Sequence, residues 1–559
     1  MTDYTDHTQS RWAGALARLR DVLRRLPLRL ILLVLVLAFV GLTLWGRTAS
    51  PPFTPRASHE WSKGQPIGET PLNETVAAQA TSHSTYLVWT DPSRQLRFVR
   101  LNRPARVVVD TFIAVPTSRP RSPQLAIGAG DVLHLTWLDE LEGDSVLKYD
   151  RLDISGRALF DPVTVSLSDE PVELARLVLS RQGGAEIFWS GRSGIFHTTL
   201  DEAGEIVRPS TLLIPGGGTP SVQADGQGKI HLAWLEAETS RNQSLHYAVF
   251  DPERRVLSRP VEMSFVFLRT GQSLDGLTMA LDDEYGYVFW SITDLRDGIS
   301  WAEYVSFPLN DPSSPAQSEL RLGGVEYIRD LFFLDGQRSR AFVAVSGVAS
   351  DTGPSSQIAL AIFRQGQFSG HQIITASRDA SLKPAVLADA MGELHLVWID
   401  TLGFNQYRVL YASTTDQARQ ALNVLTLWDV ADTVVGATMS LTLVILFVPL
   451  MIAWSLLPAI LMLVYYFVTG DEELGSLRSW AVFAVAIVLQ IAGMIIRPPG
   501  YSEAFSRFLL PVLLAVVALI PVYVYLRVKQ QRSILVAFVI FAITHGLLRL
   551  VIFALGNVG

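Results

Sequence analysis

The sequence predicts an all-β seven-bladed β-propeller joined to α-helical transmembrane segments, one N-terminal and about four C-terminal. Two observations carry this prediction. Long apolar runs lie at both ends of the 559-residue chain, whereas a short strand that ends in Trp recurs between them. A repeat spaced by 45–56 residues, with several short strands per unit, is typical of a β-propeller. The repeated positions are Trp89, Trp137, Trp189, Trp234, Trp290 and Trp398.

The clearest copy of the repeat is the segment 392–400, Gly-Glu-Leu-His-Leu-Val-Trp-Ile-Asp. Near-copies occupy 132–139 and 229–236, and each follows a small polar turn. A further short strand follows each copy, as at 408–413. Apolar and polar positions alternate in these segments, which predicts strands that pack one face against a neighbouring blade.

The repeat also predicts how the ring closes. The gap between Trp290 and Trp398 is about twice the other spacings, and segment 340–345 fits a unit that has lost its Trp, so seven units fill residues 58–417. The last unit lacks a fourth strand, whereas a surplus strand precedes the first. We therefore expect 58–69 to pair with 406–413, which would remove two exposed sheet edges.

The unit of turn, H-L-x-W-[LI]-[DE] and x-L-x-Y-A resembles the repeats of secreted bacterial sialidase-like (BNR-type) propellers, over residues 58–417 only. The resemblance implies the propeller fold. The Ser-x-Asp-x-Gly-x-x-Trp box common in that superfamily is not found. Nor can the family's Arg triad, with its Tyr and acidic partners, be placed residue by residue. No catalytic, cofactor-binding or metal-binding residue is therefore predicted, and no cofactor.

Both ends of the chain are expected to hold the propeller in a membrane, since each contains apolar runs long enough to span a bilayer. The predicted parts are a cytoplasmic basic tail at 1–27, a transmembrane anchor at 28–46, a linker at 47–57, the extracytoplasmic propeller at 58–417, a linker helix at 418–433, and a bundle at 434–559 with spans at 434–468, 479–496, 508–526 and 534–555. The arginines before the anchor predict a cytoplasmic N-terminus. A cleaved signal peptide is the alternative for 28–46, and two short spans are the alternative for 434–468.

Composition narrows the functional classes. The chain has no Cys, which excludes disulfides, Cys-ligated zinc and a thiol nucleophile. An extracytoplasmic domain without Cys favours a bacterial source. Between residues 30 and 470 there are 33 basic and 46 acidic residues, so nucleic acid is not expected as a partner.

Three groups of polar residues invite a functional interpretation in the propeller. His134, His231 and His395 occupy equivalent places in three blades; they could form ligand sites, but equivalent positions lie too far apart around the axis to share one metal. The acidic groups are Asp139, Glu140 and Glu142, and Asp282, Asp283 and Glu284. They could bind Ca²⁺, yet the strict Asp-x-Asp-x-Asp-Gly loop is missing, which favours solvated turns.

The helical part contains Gln490, His545 and Arg549 within apolar sequence. His545 and Arg549 are four residues apart and would share one helix face. Polar groups at such depth usually face a bundle interior and predict an intramembrane polar site. In the alternative, Arg549 extends to the membrane surface while His545 bonds a neighbouring helix.

The function expected from these patterns is a binding or scaffold module for a protein or glycan partner in the cell envelope, with the lipid bilayer as a further partner. Alternatives are a membrane-tethered glycan-active enzyme and an accessory subunit of a transport or secretion complex. Clustered Arg and carboxylate groups in a central pocket would favour the enzyme, and a bland pocket would favour binding. A groove around Gln490, His545 and Arg549 would favour the accessory subunit.

Overall fold

The computed structural model describes residues 53–141, 143–239, 241–337, 340–349, 355–431, 455–470, 473–496, 510–528 and 533–556. Pro51–Val424 form one compact unit, and the chain after Val424 belongs to a second. The first unit is built almost entirely from β-strands, and the second from helices.

Twenty-nine strands are found in the described part of the first unit, with one 3-10 turn at Ala129–Asp131. In chain order they are β1 Gln65–Thr70, β2 Ala77–Ala80, β3 Ser84–Thr90, β4 Leu96–Asn102, β5 Val107–Phe112, β6 Pro120–Ile127, β7 Leu133–Leu141, β8 Asp144–Leu152, β9 Val163–Thr164, β10 Leu174–Leu179, β11 Ala185–Gly191, β12 Gly194–Leu200, β13 Ile206–Pro215, β14 Ser221–Ala224, β15 Ile230–Ala237, β16 Asn242–Asp251, β17 Val256–Leu257, β18 Val261–Phe267, β19 Gln272–Leu281, β20 Tyr285–Asp294, β21 Ser300–Pro308, β22 Ala316–Leu320, β23 Val325–Gln337, β24 Arg340–Ala349, β25 Ser356–Arg364, β26 Gln367–Ile373, β27 Ser381–Ala388, β28 Leu394–Gly403 and β29 Gln406–Ser413.

These strands form seven antiparallel sheets of consecutive strands, which are the blades of a propeller. Blades 1, 2 and 3 are β2–β5, β6–β9 and β10–β13. Blade 4 is β14–β18, in which β17 and β18 both pair with β16. Blades 5 and 6 are β19–β22 and β23–β26, and blade 7 is β27–β29 with β1. The prediction of a seven-bladed β-propeller is confirmed.

The innermost strands of the blades form a closed ring. Each of β2, β6, β10, β14, β19, β23 and β27 contacts the innermost strand of the next blade, and β27 contacts β2. All seven contribute residues to one central cavity. Because each innermost strand pairs only with the second strand of its own blade, one backbone edge of every blade faces this cavity.

The two ends of the first unit meet at blade 7. Strand β1 pairs antiparallel with β29, with Gln65 opposite Tyr411 and Thr70 opposite Tyr407. The N-terminal segment therefore supplies the outermost strand that the last repeat lacks. A short helix, α1 (Asp416–Leu422), follows β29 and begins at Thr415, whose side-chain oxygen accepts a hydrogen bond from the backbone N–H of Ala418.

The repeated tryptophans lie inside the blades. All six are at most 2% exposed, and they pack with the apolar residues of the second and third strands. In blade 6 Val345 takes the corresponding place. It lies opposite the register shift in β23, as Trp398 lies opposite the register shift in β27. The segment expected to have lost its Trp is thus strand β24 of a complete blade.

The second unit contains α2 (Leu477–Ile496), α3 (Leu510–Val528), which includes Pro521, and α4 (Ile534–Gly556). Residues 427–431 and 455–469 are also helical. Buried side chains of these helices, such as Phe483 and Phe541, form one apolar cluster.

The predicted transmembrane segments are not supported. Among the residues that the structure describes, none of the helices is both long and apolar enough to cross a membrane. This finding contradicts the predicted spans and the multi-pass localisation. The prediction counted continuous apolar runs of sequence, and two of the predicted spans, 434–468 and 508–526, extend into residues that are not described. The predicted anchor at 28–46 lies outside the described residues altogether, and the predicted orientation depended on the spans.

Candidate binding site in the central cavity

The cavity at the centre of the propeller has a volume of about 940 Å³ and is lined by the innermost strands of all seven blades. Pockets for small ligands commonly reach this size. Its two ends differ in chemistry. At the end where the innermost strands begin, which we call the mouth, the lining includes Glu74, Ser122, Asp275, Arg329, Asp330 and Lys383. At the other end it includes Ile127, Leu179 and Leu387.

Four innermost strands carry a β-bulge at the same level of the mouth. In blades 2, 5, 6 and 7 two residues of the innermost strand lie opposite a single residue of the second strand. These single residues are Trp137, Trp290, Val345 and Trp398. The first bulged residue always has a left-handed backbone. These residues are Ser122 (φ 49°), Gly276 (φ 70°), Asp330 (φ 52°) and Lys383 (φ 50°).

The left-handed conformation is costly for residues with a Cβ atom, so three of these four positions are strained. Such strain persists where surrounding contacts enforce it, and it is often found at binding sites. A bulge also changes the direction in which a side chain points. In blades 2 and 7 the next residue is proline, Pro123 or Pro384, which the unpaired edge of an innermost strand can accept. The bulges therefore identify the mouth as a specialised part of the ring.

Two bulged residues in adjacent blades form an ion pair. Lys383 Nζ lies 2.5 Å from Asp330 Oδ1, and Asp330 Oδ2 accepts a hydrogen bond of 2.9 Å from Ser346 Oγ. The Asp330 side chain is 11% exposed and that of Lys383 is 31% exposed. The pair is thus largely removed from solvent and links the innermost strands of blades 6 and 7.

Strand β23 of blade 6 has a second bulge, between Glu326 and Arg329. Within it Tyr327 is also left-handed, with φ 55°. Arg329 is thereby placed between two left-handed residues, Tyr327 and Asp330, and its side chain is exposed to the cavity. This double bulge makes β23 the most irregular innermost strand in the described part of the ring.

Two guanidinium groups line the cavity without an ion-pair partner among the described residues, those of Arg176 and Arg329. Burial lowers the pKa of Arg176 to about 10, so this group remains charged at neutral pH. Gln124 holds the backbone on both sides of Arg176, since its side chain donates to Ala175 O at 2.5 Å and accepts from Leu177 N at 3.0 Å. The position of Arg176 is therefore fixed by the adjacent blade.

The carboxylates of the mouth are mostly engaged in holding the bulges. Glu74 Oε2 accepts a hydrogen bond of 2.7 Å from the backbone N–H of Ser122, and Asp330 is paired with Lys383. Asp275 is exposed, and its carboxylate accepts only a long hydrogen bond of 3.4 Å from Ser273 Oγ among the described residues, whereas its backbone carbonyl accepts from Ser291 Oγ at 3.0 Å. The groups left to meet a ligand are thus two guanidinium groups and the Asp275 carboxylate.

The three repeated histidines lie away from the cavity, in the interior of their blades. The Nδ1 atoms of His134, His231 and His395 lie 2.8, 2.6 and 2.6 Å from the hydroxyl groups of Tyr149, Tyr247 and Tyr411. These contacts bind the second strand of the blade to the third. The repeated His–Tyr pairs thus account for the H-L-x-W and L-x-Y patterns through packing within each blade.

The His231 pair is extended by Asp225 of the preceding turn, whose Oδ2 lies 3.3 Å from His231 Nε2. Burial raises the pKa of Asp225, but hydrogen bonds from His231 and from the backbone N–H of Lys229 and Gln227 outweigh this effect, so its pKa lies below the ordinary value. The turn before the Trp strand is therefore held by an ionised carboxylate.

Two of the acidic residues considered for Ca²⁺, Asp139 and Asp282, accept hydrogen bonds from donors of the protein itself. Asp139 is 2% exposed and accepts hydrogen bonds from Thr117, Ser118 and Arg119. Asp282 accepts from the Tyr287 hydroxyl at 2.8 Å. Across the described residues no group of acidic and histidine side chains could hold a metal ion, and Glu142 is not described.

In the second unit Gln490 and His545 are fully buried. Gln490 Nε2 donates to Ser455 Oγ at 2.9 Å, and the His545 ring stacks on Phe541 with ring centroids 5.4 Å apart. The side chain of Arg549 is not described. A functional site formed by these three residues remains a prediction.

Sequence reasoning missed Arg176, Arg329 and Lys383, which the ring brings to one cavity. The sequence carried only a partial signal. Each bulged residue lies 14 or 15 positions before the Trp position of its own unit, whereas Arg176 lies 13 positions before Trp189 and Arg329 lies 16 positions before Val345. This spacing assigns the charged residues to the innermost strands, but it does not place them at one level.

No family model and no curated protein matches this chain, so membership of the sialidase-like family is not shown. Solved structures that are similar to it include the polysaccharide lyase Uly1, with 10% identity, a TM-score of 0.44 and coverage of 66% of this chain and 94% of that chain. The WD40 domain of Toxoplasma gondii coronin has 12% identity, a TM-score of 0.42 and coverage of 67% and 92%. An α-L-arabinanase of Penicillium chrysogenum has 13% identity, a TM-score of 0.37 and coverage of 54% and 94%. At such identities these likenesses say nothing about the activity of this chain.

Proposed function

We propose that the propeller is a binding module whose mouth recognises an acidic glycan. The observation that carries this proposal is the pair of guanidinium groups, Arg176 and Arg329, which line the cavity without an ion-pair partner among the described residues. A guanidinium group presents a fixed fork of donors that matches a carboxylate or sulfate in two parallel hydrogen bonds. An acidic sugar supplies such a group.

The remaining polar groups of the mouth suit sugar hydroxyls. Asp275 is an exposed carboxylate that lines the cavity. Hydroxyl groups of a pyranose can donate hydrogen bonds to this carboxylate. A simple inorganic anion has no hydroxyl donors and would leave Asp275 without a role.

The shape of the site favours a glycan over a folded protein. Seven strands enclose the cavity on its sides, and about 940 Å³ accommodates one or a few sugar rings. A folded protein is too large to enter a space of this volume, whereas the two guanidinium groups lie among the strands that line it. A protein partner is therefore an outcome that the experiment below must distinguish.

The proposal is tested by calorimetric titration of the full chain with a panel of acidic oligosaccharides. Each ligand is paired with a control in which the carboxyl groups have been reduced to neutral alcohols. We expect the reduced ligands to bind at least about tenfold more weakly, because they no longer pair with the guanidinium groups. Equal affinity for the acidic and the reduced ligands, or binding of neither, would exclude the proposal.

A second candidate function is an enzyme that cleaves an acidic glycan. The observation that favours it is the charged mouth, where exposed Asp275 and Arg329 lie on innermost strands of adjacent blades. A carboxylate beside a cation could act as a general base or acid. Prolonged incubation with the bound glycan, followed by mass analysis, tests this alternative. Shortened products that disappear in the Asp275→Asn variant would establish the enzyme, and an intact glycan would leave binding alone.

A further inference from the structure

Strand β23 of blade 6 contains a bulky residue, Tyr327, in a left-handed conformation. Tyr327 does not line the cavity, and the other described innermost strands have no such residue. Tyr327 has φ 55° and is 38% exposed. It precedes Arg329, which lines the cavity, by two positions. Tyr327 and the residue to which we assign the acidic sugar therefore belong to one bulged segment of β23.

The fold is adapted to keep Tyr327 in this place. The bulge at Tyr327 lies opposite Gly347 of β24, between the pairs Glu326–Val348 and Arg329–Ser346. A Cβ atom on Gly347 would come within 2.6 Å of Val325 Cγ1 and 2.9 Å of Glu326 O. The absence of a side chain at Gly347 therefore lets the bulged segment pack closely against the blade.

Buried neighbours anchor the segment on both sides of the tyrosine. Val325 and Ile328 are 6% and 4% exposed and belong to an apolar cluster that blades 5 and 6 share. Glycine would adopt φ 55° at lower cost than any other residue, and a bulky residue in this region is unusual. A strained exposed tyrosine between two buried anchors is a pattern typical of a ligand contact.

We propose that Tyr327 forms a stacking platform for the sugar ring adjacent to the acidic unit held by Arg329. The ligand is then a chain of at least two sugar units rather than a free monosaccharide. One face of a pyranose is rich in C–H groups, and it gains dispersion contacts and loses hydrated apolar area against an aromatic ring. The tyrosine hydroxyl can remain in water. This inference rests on the proposed function and assigns the length of the ligand.

The experiment compares ligands of different length on the full chain. The probes are galacturonic acid with its trimer, and glucuronic acid with a chondroitin sulfate tetrasaccharide. The variants are Tyr327→Ala, Tyr327→Phe and Arg329→Gln. Phe112→Ala is the matched control, because Phe112 is an aromatic residue, 48% exposed, on the outermost strand of blade 1.

We expect Tyr327→Ala to weaken binding of the oligosaccharides about tenfold and to change binding of the monosaccharides by less than about twofold. Tyr327→Phe, which keeps the ring, should bind both like the wild type, as should the control. Arg329→Gln should weaken binding of both ligand lengths.

Two outcomes overturn the inference and are distinguishable. If the wild type binds the oligosaccharides in an Arg329-dependent manner but Tyr327→Ala binds them unchanged, or loses monosaccharide and oligosaccharide equally, the platform is wrong and the proposed function stands. If the wild type binds none of the probes, both proposals fail. Urea unfolding of Tyr327→Ala verifies that the variant is folded, because a loss of folding would remove binding of both ligand lengths.

Discussion

Lys383 Nζ lies 2.5 Å from Asp330 Oδ1, and both residues occupy the left-handed position of equivalent bulges in adjacent blades. The ion pair therefore joins two strained positions across a blade boundary. It also neutralises two charges at the mouth, which leaves Arg176, Arg329 and Asp275 to determine what the cavity binds.

The Lys383–Asp330 pair is expected to contribute to stability. In Lys383→Met the Asp330 carboxylate, which is 11% exposed, keeps only its hydrogen bond from Ser346. Removing one partner of a largely buried pair leaves an uncompensated charge, so we expect a loss of about 1–2 kcal/mol in the free energy of unfolding by urea. Arg321→Ala is the control because its pair with Glu319 is exposed, and its removal should leave stability nearly unchanged. Equal effects of the two variants would contradict this assignment.

If the bulges are equivalent, glycine should be favoured at each of them. Introducing glycine in one blade and removing it in another should therefore change stability in opposite directions. Ser122→Gly relieves a left-handed serine and should stabilise the fold by about 0.5 kcal/mol, since the gain exceeds the added freedom of the unfolded chain. Gly276→Ala introduces the same strain in blade 5 and should cost about 1 kcal/mol. Thermal unfolding measures both, and Ser122→Ala, which keeps the Cβ atom, serves as the control. If Ser122→Gly and Gly276→Ala both stabilise the fold, or both destabilise it, the bulges are not equivalent.

The sequence predicted the propeller because the Trp strand is a buried, repeated element with a strong local pattern. It located blade 6 even without a Trp, since Val345 fills the same place. The bulges could not be predicted, because a bulge depends on one extra residue relative to a partner strand and not on residue type. Ser122, Gly276, Asp330 and Lys383 share no chemistry. Arg176 and Arg329 were missed for a related reason, since only the closed ring brings blades 3 and 6 to one cavity.

Burial of His134 predicts a pH dependence of stability. His134 is 2% exposed, and burial, assisted by the charge of Arg151, lowers its pKa to about 4 from an unfolded value of 6.5. Between these values the unfolded state binds more protons, so stability falls as pH decreases from about 6.5 to about 4. The difference in unfolding free energy between the wild type and His134→Gln should shrink by about 1.4 kcal/mol per pH unit in that range. A difference that is constant between pH 7.5 and pH 4.5 would contradict the lowered pKa.

Asp150 in the same blade should act in the opposite direction. It is fully buried, its Oδ2 atom has no hydrogen-bond partner among the described residues, and burial raises its pKa to about 7. Because the folded state then binds more protons between about pH 4 and pH 7, stability falls as pH rises through this window. Asp150→Asn does not titrate, so its stability relative to the wild type should increase from pH 5 to pH 7 and then level off. A relative stability that is independent of pH would show that Asp150 has an ordinary pKa.

The most direct test of the proposed site is a double-mutant cycle on its two guanidinium groups. The affinity of the full chain for the acidic oligosaccharide that binds best is measured by calorimetry for the wild type, Arg176→Gln, Arg329→Gln and the double variant, with Arg321→Gln as a control on an exposed arginine outside the cavity. We expect each single exchange to weaken binding about tenfold or more and the control to leave it unchanged. Wild-type affinity in the double variant would contradict the assignment of the cavity as the binding site.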